Sequence, residues 1–470
     1  MPLASGRVSS LWAPASIVLL QLFLATTAAH AQTGAGSTGS AATPPAEALF
    51  PDLAARQERL EADGWLVRGQ ATFVLQGHTR FRSPYRAEAS LDPSPGARNT
   101  QSADLILGRQ LWSGAEAIID VSVTRGFGMS NSQGIAAFPN NEAFRLGTTE
   151  PYVYTPRVFL RQTIGLSGDT VAGDDGDPLR FRGALPRERI TITAGKFGVW
   201  DIFDDNRYSH DPRTQFLNWV LVGGGAFDYA ADARGWTEGF AVEWEDSTWG
   251  VRTGAFRVAR RANGLFLDTA ITRAWQGLAQ VDRNFEIGGR PGAVRLIYGA
   301  SRARQSTWGE IFGNGFDTYY QNPTGYRLKH NVTVNIEQEI ADDLGAFARL
   351  SWNDGRTQNF MYTQMDRAVS GGLSLRGGRW ARPADTIGIA ANIGWISEGQ
   401  RRYLAAGGIG FIVGDGRIRY RPEVVTEAYY DARLAPGLNA ALNYQLAVNP
   451  GYNADRGPVH VFTLRLHAAF

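Results

Sequence analysis

The sequence predicts an all-β chain, a transmembrane antiparallel β-barrel of about sixteen strands. Three observations carry that expectation. Polar and apolar residues alternate in segments of about ten, again and again, from Trp65 onward. Tight turns alternate with long connections along the same stretch. The final strand-like segment closes on an aromatic residue, Phe470. Side chains of a strand point to opposite faces in turn, so period-two alternation gives each segment one apolar and one polar face. Short turns at one end and long loops at the other are the pattern of barrels that cross outer membranes.

Composition agrees. A chain of 470 residues is long enough for two or three soluble domains or one large barrel. The N-terminus holds the only long apolar run, and no later stretch approaches the roughly 18 apolar residues of a membrane helix. The 55 glycines and the 11% of aromatic residues suit tight turns and interfacial girdles. With no cysteine, thiolate metal sites and cysteine nucleophiles are excluded. A net charge of +2 implies no nucleic-acid partner. Lys196 and Lys329 are the only lysines, and the remaining basic side chains are planar guanidinium groups that stack on and hydrogen-bond to polar solutes.

Residues 1–31 read as a secretory signal: Arg7 is the positive flank, 17–24 the apolar core broken by Gln21, and Ala29-His30-Ala31 the cleavage site. Residues 32–64 read as a flexible leader followed by a short helix over 46–62. The barrel is expected over 65–470. In 331–340 the alternation is clear, with Asn331, Thr333, Asn335, Glu337 and Glu339 on one face and Val332, Val334, Ile336 and Ile340 on the other. Gln338 is out of pattern there, as Val74 is in the first strand. Strands are placed near 66–76, 103–112, 115–125, 157–166, 189–199, 235–245, 249–258, 273–283, 293–302, 330–341, 345–354, 368–377, 384–396, 422–434, 438–448 and 458–470. Residues 403–413 could add a strand, which with a partner would make eighteen. In the sixteen-strand path, residues 167–188 would be a long connection at the short-turn end. Trp65, Trp112, Trp244, Trp249, Trp352 and Trp395 fall near strand ends, where interfacial aromatics belong.

Several segments resemble the carbohydrate-selective porin family (OprB family). They are GQATFVLQGHTRFRSPYR (69–86), EPYVYTPRVFLRQTIGL (150–166), ITAGKFGVWDIFDDNRYSHDPRTQFLNW (192–219), GAFDYAADARGWTEGF (225–240), EAYYDARL (427–434) and NPGYNADRGPVHVFTLRLHAAF (449–470). The resemblance runs in order along the whole expected barrel. It implies an outer-membrane channel of a Gram-negative bacterium that passes sugars by diffusion. By the strand path above, 201–234 is the third outer loop, which in general porins folds into the lumen and narrows it.

That loop packs Asp204, Asp205, Asn206, Arg207, Tyr208, His210 and Arg213 together. Carboxylates and arginines hydrogen-bond to sugar hydroxyls, and aromatic faces stack on pyranose rings. The same charges could instead pair with one another and brace the loop. Strand parity adds Arg157, Arg161, Glu427, Tyr429, Asp431, Arg433, Arg465 and His467 as lumen-facing side chains. Rival readings are a general or anion-preferring porin and a barrel that tethers surface polysaccharide. A barrel enzyme is a further rival, but no histidine sits in a G-x-S-x-G or H-E-x-x-H context, so no catalytic residue is assigned. No cofactor or resident metal is expected. Asp174, Asp175 and Asp177 have carboxylates suited to calcium, but their spacing departs from the twelve-residue loop, and a solvated acidic turn is the favoured alternative. Expected partners are sugars, outer-membrane lipid and lipopolysaccharide, and the barrel-assembly machinery through the Phe470 ending. A homo-oligomer is compatible with this set.

Overall fold

Sixteen strands pair in chain order, and the last closes on the first. The computed structural model describes residues 51–143, 150–173, 176–319, 322–361 and 363–470. The expected signal segment and leader lie outside these residues, as do Asp174 and Asp175. The first half of the wall is β1 (Trp65–His78), β2 (Gly96–Trp112), β3 (Ala115–Arg125), β4 (Tyr152–Gly165), β7 (Arg189–Phe197), β8 (Thr237–Glu245), β9 (Trp249–Phe256) and β10 (Trp275–Ile287). The second half is β11 (Arg290–Gln305), β12 (Gly325–Ala341), β13 (Leu344–Asn353), β14 (Arg367–Gly377), β15 (Arg382–Trp395), β16 (Glu423–Ala435), β17 (Leu438–Val448) and β18 (Val459–Ala469). A separate hairpin, β5 (Thr170–Ala172) with β6 (Ala184–Pro186), sits in the connection between β4 and β7.

Closure leaves no strand edge unpaired, which a bilayer requires. At the seam β1 pairs with β18 from Gln70↔Ala469 to His78↔Val461. Phe470 extends the pairing: its N–H donates to the Gly69 carbonyl at 2.9 Å, and the Gly69 N–H donates back at 3.0 Å. The Phe470 ring covers Gly69 so closely that a Cβ there would lie 2.2 Å from it. An aromatic lid over a strand glycine restores the packing that the missing side chain gives up.

The alternation marks real faces. Outward side chains are large and apolar, with Leu442 66% exposed and Leu350 49% exposed. Inward side chains on the same strands are polar and mostly buried. The two exceptions have local causes. Val74 points inward and is buried. Gln338 lies where β12 loses register, between Glu339 and Ala341, and its amide donates to the carbonyls of Arg290, Pro291 and Glu339. Trp65, Trp112 and Trp249 are exposed at the short-turn end, and Trp352 at the long-loop end.

Residues 403–413 do not form a strand, so the eighteen-strand alternative falls. Tyr403 and Leu404 belong to the helix Glu398–Ala405, whose first turn is capped by the Ser397 hydroxyl. Tyr403, Leu404, Phe411, Ile412 and Val413 are buried among the long loops, and the Tyr403 ring stacks on Tyr319 at 4.7 Å. Their alternation reflects burial inside a cap of loops, which sequence cannot separate from burial against lipid. The expected short helix is present as Pro51–Ala62. It is tied to the short-turn end by the Arg68–Glu61 ion pair and by the Gln57 amide, which donates to the Val67 carbonyl at 2.9 Å.

Candidate functional site

The loop between β7 and β8 (198–236) runs through the lumen and is clamped along its length. Asp204 adopts a positive φ of 61° and is 0% exposed. Its carboxylate accepts from Asn335 Nδ2 at 2.6 Å, Arg349 Nε at 3.1 Å and the Gly224 N–H at 2.7 Å. Asn206 donates to Asn335 Oδ1 at 2.7 Å, and the Arg207 N–H to Glu337 at 2.7 Å. On β16, three strands round the wall from β13, Glu427 accepts the N–H groups of Leu217 and Asn218, each at 2.9 Å. Arg465 donates to the carbonyls of Pro212 and Gln215 and pairs with Asp431 at 2.9 Å. Farther along, Asp228 takes Lys329 Nζ at 3.1 Å and the N–H groups of Phe360 and Met361. A buried carboxylate facing two consecutive N–H groups is a strong, directional anchor.

Residues 126–143, in the connection between β3 and β4, fold in beside it. Trp219 Nε1 donates to the Asn140 carbonyl at 2.7 Å, and its ring meets Phe138 edge-on at 5.6 Å. Arg213 joins both loops to the wall, with Glu142 at 3.0 Å and Asp104 on β2 at 2.7 Å. Burial works against the Arg213 charge, but Glu142, Asp104 and Asp211 outweigh it and hold the guanidinium cationic well above its ordinary range.

Between these loops and the wall from β2 to β9 lies a cavity of about 960 Å³. Its charges balance, eight arginines against nine carboxylates, and Trp200, Trp219, Trp236, Tyr154 and Tyr229 present rings to it. Most of the charges are already paired. Arg157 bridges Asp120 at 2.8 Å and Asp201 at 2.7 Å and lies 4.3 Å over the Trp236 ring. Arg161 binds Glu116 at 2.7 Å, and Arg252 pairs with Glu243 at 2.9 Å and with Asp282. Asp205 is the contrast: it is exposed and forms no ion pair among the described residues. Enclosure by the barrel works to raise its carboxyl pKa, but His210, Arg295 and Arg252 hold it below the usual aspartate range. His210 Nδ1 is buried with no hydrogen-bond partner among the described residues.

The short-turn end is narrowed as well. The connection carrying β5 and β6 folds back into the barrel, where Leu179 is buried and its carbonyl accepts from Arg161 Nη1 at 3.0 Å. Asp177 pairs with Arg180 at 3.2 Å.

Of the residues singled out from the sequence, Asp205, His210, Arg213, Arg157 and Arg161 line the cavity, with Arg433 and His467 near its short-turn mouth. Asp204, Asn206, Glu427, Tyr429, Asp431 and Arg465 are sealed beneath the loop. Arg207 and Tyr208 lie off the cavity, toward β12 and β13, with the Tyr208 ring against Gly345. Sequence reasoning missed Glu142, Trp200, Trp236, Asp232 and the inward fold of the long connection over 167–188. Asp104 had a signal, since it falls within a placed strand. The loop residues had none beyond lying in long connections.

The sequence model described as "Carbohydrate-selective porin, OprB family" matches residues 69–470. Among solved structures the chain is similar to the high-pH structure of Pseudomonas putida OprB, at 17% identity, with a TM-score of 0.69 over 92% of this chain and 100% of that one. The low-pH structure of the same protein gives a TM-score of 0.49 at 13% identity over 91% and 100%. The outer-membrane channel DcaP of Acinetobacter baumannii gives 0.47 at 9% identity over 86% and 97%. A search of curated protein sequences found no match. With a family match over almost the whole closed barrel, this chain belongs to the OprB family of carbohydrate-selective porins and is an outer-membrane channel.

Proposed function

We propose that neutral sugars diffuse through the 960 Å³ cavity and make weak contacts with Asp205, His210 and the outer edges of the Arg213 and Arg157 ion pairs. The observation that carries the reading is the pairing of the cavity charges. A charge held by its counter-ion keeps free lone pairs and N–H groups for hydroxyls but does not grip a solute. A diffusion channel needs binding weak enough for exit. Eight arginines against nine carboxylates give no net field for an anion, so the anion-preferring reading loses its support. The reading assigns no reaction to the chain. Lipopolysaccharide and the barrel-assembly machinery are proposed partners, the latter through the strand that ends on Phe470, and a homo-oligomer fits the same reading.

The test is single-channel recording with sugar added. Sugar should interrupt the ion current reversibly. Asp205→Ala should weaken that block by about 1.5–3 kcal/mol if the contact is direct. Equal block in wild type and in Asp205→Ala and His210→Ala variants would remove these two residues from the path.

A further inference from the structure

The outer face of β10, β11 and β12 carries a feature that sugar conduction does not use. Outward side chains form cross-strand rows, read here from the long-loop end downward. Arg304 stands beside Tyr326, and Arg302 between Trp275 and Leu328. Ala300 follows between Gly277 and His330, Tyr298 between Ala279 and Val332, and Leu296 between Val281 and Val334. The lower rows are mainly apolar and belong to the lipid-facing belt. The arginines begin one row above it, about 7 Å farther along the strands.

Three guanidinium groups converge on one ring there. Arg273, Arg304 and Arg302 lie 4.7, 5.5 and 5.8 Å from the Tyr326 centroid. None of the three forms an ion pair among the described residues, unlike most arginines of the cavity. Arg327 nearby is held by Glu310. The carboxylate that meets the Tyr326 hydroxyl, Asp268, is 5% exposed and 3.3 Å from it. Cation–π contact offsets only part of the repulsion among three cations, of which Arg273 and Arg304 are exposed and Arg302 half-buried, so the cluster is incomplete without an anion.

The surface below has room for a chain. Gly277, Ala279 and Ala300 are small and adjacent, and a Cβ added at Gly277 would meet only Trp275, at 3.8 Å. The trough runs from the arginines into the apolar belt. Guanidinium forks match phosphate oxygens in pairs. An amphiphile with a phosphate at the rim and an acyl chain in the trough satisfies both features.

We propose that Arg273, Arg302, Arg304 and Tyr326 bind the phosphate of a phosphorylated glycolipid of the outer leaflet, with an acyl chain in the Gly277–Ala279–Ala300 trough. The proposal deepens the lipopolysaccharide partnership proposed above and is independent of the sugar path.

The test measures binding of diphosphorylated lipid A to the purified full-length barrel in delipidated micelles, by native mass spectrometry. Wild type should retain the lipid, and Arg302→Gln/Arg304→Gln should bind it at least about tenfold more weakly. The double variant should keep its heat-modifiable migration and its sugar block, which shows that the barrel is intact. Dephosphorylated lipid A should bind poorly, and inorganic phosphate should not displace the intact lipid. Equal retention by wild type and double variant overturns the proposal, as does tight binding of the dephosphorylated lipid. Displacement by inorganic phosphate alone overturns the lipid assignment in favour of a free-anion site. Absence of sugar block in wild type would refute the conduction path and leave the lipid result standing, so the two failures are distinguishable.

Discussion

Asp204→Ala tests what holds the lumen loop in place. The carboxylate is fully buried and holds Arg349, Asn335 and the Gly224 N–H at once. Its removal strands Arg349, which is 1% exposed, with only the carbonyls of Leu221, Ser209 and residue 204 itself as acceptors. Breaking a buried pair by deleting one partner costs about 3–5 kcal/mol, much of it from the orphaned charge. At about 1.4 kcal/mol per factor of ten, the loop's undocked fraction should rise roughly a hundred- to several-thousand-fold. The wall keeps its backbone pairing, so the barrel should still form. Planar-bilayer recordings should then show higher mean conductance, more open-channel noise and less sugar block, with heat-modifiable migration retained. Adding Arg349→Ala removes the orphaned charge, so the double variant should lose less than the sum of the two single changes. A folded Asp204→Ala barrel with the conductance and noise of wild type would refute the clamp.

Further outcomes follow from the same geometry. The chain has no cysteine, so introduced ones report cleanly: a water-soluble thiol reagent should label a cysteine at 205 and spare those replacing Leu350 and Leu442. A cysteine replacing Asn335 should also stay unlabelled despite its inward parity, because the loop covers it, and labelling at rates equal to position 205 would contradict that cover. Leu350→Arg, on the lipid face, should destabilise the barrel by about 2–4 kcal/mol if it lies near the bilayer midplane, measured by urea unfolding in liposomes; an unchanged midpoint would count against the assigned face. For pH, Asp201, Asp205 and Asp211 are each raised by burial but lowered more by neighbours, chiefly Arg157, His210 and His467 in turn. A carboxylate lowered on folding stabilises above its unfolded value, and that contribution is lost only as pH falls through the lowered folded value. These three carboxylates should therefore stay ionised from neutral pH down to about 4, and an NMR titration that places their midpoints well above 3.8 would contradict the ion pairs.

What sequence could and could not reveal has a physical cause. Strand faces are local: Asn335 and Val334 differ by one residue and therefore by one face. All sixteen strands were legible, and so was the placement of 201–234 as the third long loop. The contents of the lumen depend on contacts between residues far apart in sequence, such as Asp204 with Arg349 or Glu427 with Leu217. A dense run of charges reads the same whether it faces solute or its own counter-ions. Asp204 proved to be an anchor, while its neighbour Asp205 is open. The 403–413 stretch was misleading for the related reason that burial in a loop cap mimics burial in lipid.

In the proposed function, sugar passes through the cavity between the lumen loop and the β2–β9 wall. Liposome swelling with mono- and disaccharides, compared between wild type and Arg213→Ala, tests it most directly. Arg213 lines this cavity and joins two loops to the wall, through Glu142 and Asp104. Wild-type liposomes should swell faster with sugars than with equally large polar solutes that lack ring hydroxyls, and Arg213→Ala should erase that preference while raising ion conductance. Swelling rates that follow solute size alone, and that are the same in both proteins, would contradict a sugar path through this cavity.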